Sequence, residues 1–411
     1  MKHEIDALLR AHGLEGLVVV GPGGHNPALV YLTGRPAPLT AAWVVKKPGQ
    51  PPLLYHWPME RDEAAHTGLR TRSLAPFVLR HFMDAAQGDA FRAQVLQTLA
   101  LLDDAGLGQG RIAVTGRVEL GPNLTLWQAV QEARPGLRVE GRLAYQILRR
   151  ARTTKDADEV ARIRRMGELT VEVAARVAER LRNLRAGADG LARDAQGDVV
   201  TIGQVKGWIR RWVAELGAEL PLAVIFAQGY DAAVPHSTGN DAAALQVGVP
   251  IVFDLFPQEA GGGYFYDFTR TWSLGYAPEP VQDLYAQVQE AYRAALAEVQ
   301  AGRPAEAPYT AACDVLERYG HATGRTRPGA RVGFVHGLGH GLGLEIHEMP
   351  RLAAGQTQPL QKGMVVAVEP GLYDPDAGIG MRLEDTVWID ETGRPQVLAE
   401  FPHDLVLPLR A

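Results

Sequence analysis

Up to residue 150, short apolar runs alternate with stretches whose apolar residues recur every three or four positions. The runs GLVVV (16–20), AAWVVK (41–46), PPLLYHW (51–57) and RIAVTG (111–116) have the length and β-branched content of strands. Between them, ERDEAAH, FRAQVLQTLALLDDAG and NLTLWQAVQEA carry the helical period. Strand and helix in alternation predict an α/β domain. The polar segment RRARTTKDADEV (149–160) then leads into a long amphipathic helix over 157–182, with Asp156 or Asp158 placed to cap its N-terminus. The expected boundary therefore falls near residue 150, giving domains 1–150 and 151–411.

Beyond residue 220 the pattern turns to hairpin-like strand pairs: PLAVIFAQG, VPIVFDLF, YFYDFTRTWSLG, MVVAVEPGLY and MRLEDTVWI. Helical stretches at 281–302 and 307–320 separate the earlier pairs from the later ones. This half predicts an α+β domain, an antiparallel sheet backed by helices. No tandem repeat is present, but two acid-bearing hairpins echo each other, one at 251–273 and one at 364–389.

Composition narrows the class. A chain of 411 residues, 46% hydrophobic and 22% charged, has enough apolar material for two cores. Its net charge of −5, with basic residues scattered rather than striped, argues against nucleic acid as a partner. Apolar runs such as VPIVF and MVVAV fall far short of the roughly 20 residues that span a bilayer. The opening MKHEIDALLRAHG carries acids among its apolar positions and has no signal core, so a cytoplasmic protein without membrane contact is expected. The single cysteine, Cys313, excludes an internal disulfide and a cysteine-based zinc site; in YTAACDVLERYG it reads as a small packed side chain.

Four acids stand where apolar residues belong. Asp254 ends the run VPIVFD, and Asp267 interrupts the aromatic GGGYFYDFTRTW. Glu369 follows MVVAV before a Pro-Gly turn, and Glu384 interrupts GMRLEDTVWI, with Arg382 two residues earlier on the same strand face. A buried carboxylate is unfavourable unless paired or bound to a metal, and four on four predicted strands point to one shared cause. Hard oxygen ligands grouped this way suit one or two divalent cations. One imidazole in addition shifts the choice toward manganese, cobalt, zinc or iron and away from calcium.

The histidine-rich VGFVHGLGHGLGLEIHEMP (332–350) offers that imidazole through His336, His340 or His347. Its alternating glycines fit neither a dinucleotide fingerprint nor a phosphate loop, and HEMPR lacks the second histidine of a zincin helix. The glycines read as backbone passing close to a metal or substrate. His236, in QGYDAAVPHSTGND, is a further loop histidine.

Together PHSTGN, FDLF with GGGYFYDFTRTW, HGLGHGLGLEIHE, VVAVEPGLY and GMRLEDTV resemble, in order, the motifs of the creatinase, aminopeptidase P and prolidase family of pita-bread metallopeptidases. The resemblance covers roughly residues 150–411, and NPALVYLTG extends it more loosely into the α/β domain. It implies a dinuclear site with Asp254, Asp267, His340, Glu369 and Glu384 as ligands, Asp267 and Glu384 bridging. It implies two divalent metal ions, manganese ahead of cobalt or zinc, and a metal-bridging hydroxide as nucleophile.

By the same matching, His236, His347 and Glu369 are catalytic, and His336, Tyr373 and Arg382 lie near the bound substrate or support the metal shell. The activity implied is cleavage before proline, as an Xaa-Pro dipeptidase or aminopeptidase acting on proline-containing peptides, in a homodimer. A metal-independent amidinohydrolase of the creatinase kind and a non-catalytic binding module on the same fold are the alternatives. One departure stands out: the stretch between Asp254 and Asp267 is longer than the family pattern, and Phe256 and Pro257 replace small residues.

Overall fold

The computed structural model describes residues 4–410; of the opening stretch, Met1–His3 lie outside the described residues. The chain divides into two compact units. One runs to Arg152 and includes Ala260–Gly263, and the other comprises Thr153–Glu259 and the residues from Tyr264 onward.

The first unit is built on a six-stranded mixed sheet. Its strands lie in the order Arg70–Ser73, Leu53–His56, Ala42–Lys46, Gly16–Gly21, Gly110–Gly116, Leu137–Glu140. The Gly16–Gly21 strand runs antiparallel to Ala42–Lys46 and parallel to Gly110–Gly116. Val18, Val20, Ile112 and Val114 from these central strands pack with Leu99, Leu102, Leu126 and Val130 from the Ala90–Asp104 and Leu120–Ala133 helices.

Both edge strands lack an apolar run in the sequence. Arg70–Ser73 has three exposed side chains of four, because an edge strand needs only one bonded neighbour and gains from charges that deter further pairing. Within the longer stretch between Asp254 and Asp267, residues Ala260–Gly263 belong to the first unit. There His25 N–H donates to Gly261 O at 2.8 Å. Gly262, at φ +89°, approaches so closely that a Cβ would stand 2.5 Å from His25 Cα.

The second unit opens on the Ala157–Arg182 helix, and of the two candidate caps Asp156 is the one used. Its carboxylate accepts from Glu159 N–H at 3.0 Å, while the Glu159 carboxylate accepts from Asp156 N–H at 2.8 Å. Such a reciprocal cap contributes about 1 kcal/mol. Where the sequence predicts one antiparallel sheet, two larger sheets form, and the first ends in a parallel pair, Thr269–Leu274 with Val406–Leu407.

The first sheet has the order Ile225–Gln228, Pro250–Asp254, Thr269–Leu274, Val406–Leu407, and the second Glu348–Leu352, Gly339–Gly341, Val365–Val368, Asp385–Ile389, Pro395–Val397. A two-stranded ribbon pairs Gly371–Asp374 with Ile379–Arg382. Helices Glu279–Glu298 and Ala307–Arg318 bury Val288, Tyr292, Ala295 and Leu316 against Val366, Val368, Leu383 and Val387. Each Val or Leu among them contributes roughly 1.5–3 kcal/mol on full burial. Cys313 packs inside this core.

The two sheets are joined at the site. Thr269 and Glu384 pair as an isolated antiparallel bridge, with Glu384 N–H donating to Thr269 O at 3.0 Å.

Candidate metal centre

The four acids do not all sit on strands, as the sequence had implied. Asp254 is the last residue of its strand, but Asp267 precedes Thr269–Leu274, Glu369 follows Val365–Val368, and Glu384 lies between Ile379–Arg382 and Asp385–Ile389. The ladder breaks for a local reason at Asp267. Thr386 Oγ1 accepts from Asp267 N–H at 3.2 Å and donates to Asp267 O at 2.8 Å, so a side-chain hydroxyl takes the place of a neighbouring strand. Breaks of this kind let carboxylates converge where a regular pleat would send alternate residues apart.

They converge on a cavity of about 710 Å³ within this unit. Asp254, Asp267, Glu369, Glu384, His236, His336, His340, His347 and Arg382 all line it. Ligand atoms of Asp267, His340 and Glu384 lie within 4.8 Å of one another. His340 Nε2 stands 3.5 Å from both Asp267 Oδ2 and Glu369 Oε1. Tyr373 does not line the cavity; it is buried behind His336.

Asp254 and Glu384 each engage one carboxylate oxygen and leave the other. Arg382 Nη2 donates to Asp254 Oδ2 at 2.6 Å, and Thr269 Oγ1 donates to Glu384 Oε2 at 2.6 Å. Asp254 Oδ1 and Glu384 Oε1 are buried with no hydrogen-bond partner among the described residues. Such orphaned oxygens are rare in native interiors unless something else binds them.

Four carboxylates face one fully buried guanidinium, so ionisation of all four leaves three negative charges unbalanced. Burial, and then mutual repulsion, accordingly push Asp267 and Glu384 well above the ordinary carboxylate range. Burial raises Asp254 too, against the pull of Arg382, and raises Glu369 to about 8. A pair of divalent cations reverses this balance, and the donor set of four carboxylates and one imidazole fits them.

The imidazole among these acids is itself uncharged. Burial lowers His340 to about 3, so the ring is neutral despite its acidic neighbours. Its Nδ1 lies 3.1 Å from Gly341 O, and donation there leaves the Nε2 lone pair facing Asp267 and Glu369.

The glycines around His340 admit something other than metal. A Cβ at Gly339 would stand 2.0 Å from Ala367 O, and one at Gly341 2.1 Å from Met349 O. Strand backbones on either side, not an ion, forbid side chains there.

Arg382 contacts protein groups: Asp254, Thr269, Tyr373 and Pro235. It donates to Tyr373 Oη at 2.9 Å, which stands 2.9 Å from His336 Nε2, while His336 Nδ1 lies 2.6 Å from Gly337 O. Burial holds His336 at about 4, neutral, with its ring against Phe334 and Tyr373. His347 and His236 are exposed to the cavity, and the His347 ring packs edge-on to His340 at 4.3 Å. Burial, and then Arg351, lower the His347 pKa.

Sequence reasoning passed over Arg351, an exposed cation lining the cavity. Only its place in HEMPR, four residues after His347, pointed to it.

Residues 161–391 match Metallopeptidase family M24. A probable dipeptidase PepE of Mycobacterium bovis is 36% identical over 265 residues, which are 64% of this chain and 63% of that protein. The chain thus spans less than two thirds of that relative's length. An Xaa-Pro dipeptidase of Pyrococcus furiosus is 36% identical over 178 residues, 43% of this chain and 47% of that protein. Among solved structures, dipeptidase PepE from Mycobacterium ulcerans superposes with a TM-score of 0.73 at 30% identity, covering 99% of this chain and 97% of that one. A dipeptidase from Pyrococcus horikoshii OT3 gives a TM-score of 0.75 at 22% identity, covering 99% of each chain.

Proposed function

Since the chain belongs to metallopeptidase family M24 and carries its pita-bread fold, we propose that it hydrolyses the peptide bond before proline, with short Xaa-Pro peptides as substrates. The observation that carries the reading is the pair of buried, unpartnered oxygens on Asp254 and Glu384 beside the Nε2 lone pair of His340, at the floor of a cavity large enough for a dipeptide.

Asp254, Asp267, His340, Glu369 and Glu384 would hold two divalent ions, manganese first. When bound, such a pair supplies a water of lowered pKa and positive charge near the scissile carbonyl.

The chain's own groups do the rest. His347 and His236 face the cavity and donate N–H to the carbonyl oxygen as it gains charge. Glu369 takes the proton of the attacking water on a carboxylate oxygen and delivers it to the departing nitrogen as the C–N bond breaks. That nitrogen carries no hydrogen in an Xaa-Pro bond, so recognition has to come from the ring. His336, fixed by Tyr373 and Gly337, offers a rigid wall for it. Arg351 at the cavity supplies a counter-charge for the terminal carboxylate of a dipeptide, which favours dipeptidase over aminopeptidase action.

The test is incubation with Ala-Pro, an Xaa-Pro tripeptide and a longer Xaa-Pro peptide, each with manganese and with a chelator. Release of free proline from Ala-Pro that stops on chelation is the expected result. Turnover of Ala-Pro that survives exhaustive chelation would overturn the metal-dependent reading.

A further inference from the structure

Behind the cavity lies a second buried ion pair that the proposed chemistry does not use. Lys155 Nζ donates to Glu348 Oε2 at 3.0 Å, and the two side chains are 1% and 4% exposed. Neither lines the cavity. Glu348 follows His347 directly, and its other oxygen accepts from Leu344 N–H at 3.0 Å and from Glu345 N–H at 3.3 Å.

One carboxylate therefore closes the turn 344–347 from the inside while a cation holds its far oxygen. The fit is tight, since a Cβ at Gly343 would stand 2.8 Å from Glu348 Oε2. The turn is also tied to the Asp267 segment, because Phe265 N–H donates to Gly343 O at 2.8 Å. Lys155 is itself anchored, its N–H donating to Gly363 O at 2.6 Å. The residue displayed at the end of this turn is His347, set 4.3 Å from the His340 ring.

We propose that the Lys155–Glu348 pair is a positioning device: it fixes the turn that presents His347 to the scissile carbonyl, and so acts on the reaction through His347 without touching substrate. The proposal rests on the hydrolase reading given above. Only a carboxylate has acceptors on both edges, one for the turn and one for the lysine. In Glu348→Gln, whichever edge receives the amide nitrogen sets a donor against a donor.

A buried pair replaced by apolar groups is often thermodynamically neutral, whereas one partner alone leaves an uncompensated charge. The double variant K155M/E348L therefore removes the clamp and serves where E348Q does not fold.

Both variants are made in wild-type and H347A backgrounds and assayed on Ala-Pro with manganese, with bound metal measured alongside. Because a displacement of about 1 Å at a reacting group lowers rates on the order of 100-fold, kcat should fall roughly 10- to 100-fold in the wild-type background, with KM and metal content little changed. In the H347A background the same changes should have no further effect. An equal loss in both backgrounds overturns the proposal.

A crystal structure of whichever variant folds provides a readout independent of activity. A His347 ring displaced from His340 supports the device, and an unmoved ring overturns it. If the wild-type protein hydrolyses none of the peptides, it is the hydrolase reading that fails, and the ring position alone then decides whether Lys155 and Glu348 place His347.

Discussion

Glu384 and Asp385 are adjacent, both buried, and opposite in character. Glu384 leaves one oxygen unpartnered among three other carboxylates, and burial followed by that repulsion holds its carboxyl well above the ordinary range. Burial pushes Asp385 up as well, but Arg270, His403 and Tyr292 bring it below the ordinary value. Arg270 Nη2 donates to Asp385 Oδ1 at 2.8 Å and Tyr292 Oη donates to its Oδ2 at 2.6 Å, with His403 Nε2 at 3.2 Å. The guanidinium spends its remaining donors on the carbonyls of Thr269, Glu384, Phe401 and Pro402.

Burial alone thus does not mark a functional acid; what distinguishes the two residues is whether the protein supplies enough donors. Asp385 is complete and holds the fold behind the site. Glu384 is left one donor short, which suits it to the metal-holding role proposed above.

The contrast should break most visibly at Glu384. In E384Q, manganese binding and peptide turnover should fall by more than the roughly 10- to 100-fold typical of changes behind a metal shell. Metal analysis and an Ala-Pro assay measure both. The metal-free variant should nevertheless unfold at a higher urea concentration than the metal-free wild type at pH 8, since an amide need not take up the proton that the raised Glu384 carboxyl takes up on folding.

At Asp385 the order reverses. D385N leaves Arg270 buried and uncompensated, a loss of about 3–5 kcal/mol in urea unfolding of the metal-loaded protein, with metal still bound at saturating manganese.

A pH titration separates the two acids in one experiment. In the metal-free fold Glu369, raised to about 8, and Asp267 and Glu384, also raised, keep protons that the unfolded chain releases near pH 4. Their stabilisation is complete below that pH and is lost as pH rises through about 8. Melting temperature in chelator should therefore drop between pH 5 and pH 8, and saturating manganese should abolish the drop. Asp385, held low, has the opposite sign: its contribution is present above the ordinary carboxylate value and fades as pH falls below it.

The smallest effect is expected at Arg351, an exposed cation. R351M should raise KM for Ala-Pro roughly tenfold, the equivalent of about 1.4 kcal/mol, and leave KM for a longer Xaa-Pro peptide amide unchanged.

Much of this organisation could be read from the chain. The period-two and helical patterns located the central strands of the first unit and, to within a few residues at the ends, the helices Ala157–Arg182, Glu279–Glu298 and Ala307–Arg318, because apolar burial imposes those periods. The four acids betrayed themselves by interrupting apolar runs. What escaped notice had no such contrast: Arg70–Ser73 is a polar edge strand, and Arg351 is a surface arginine among others. Asp385 sits beside a more conspicuous glutamate, and Lys155 and Glu348 lie 193 residues apart.

By itself the sequence determined which residues had to be buried, and it marked Asp254, Asp267, Glu369 and Glu384 as charges in apolar surroundings. Tertiary structure decided which of the buried charges are satisfied. Hydrogen bonds and ion pairs are made in space between residues such as Arg270 and Asp385, or Lys155 and Glu348, and chain order carries no measure of that distance. Only when the two sheets close at Thr269 and Glu384 do some oxygens gain partners while others are left facing the cavity.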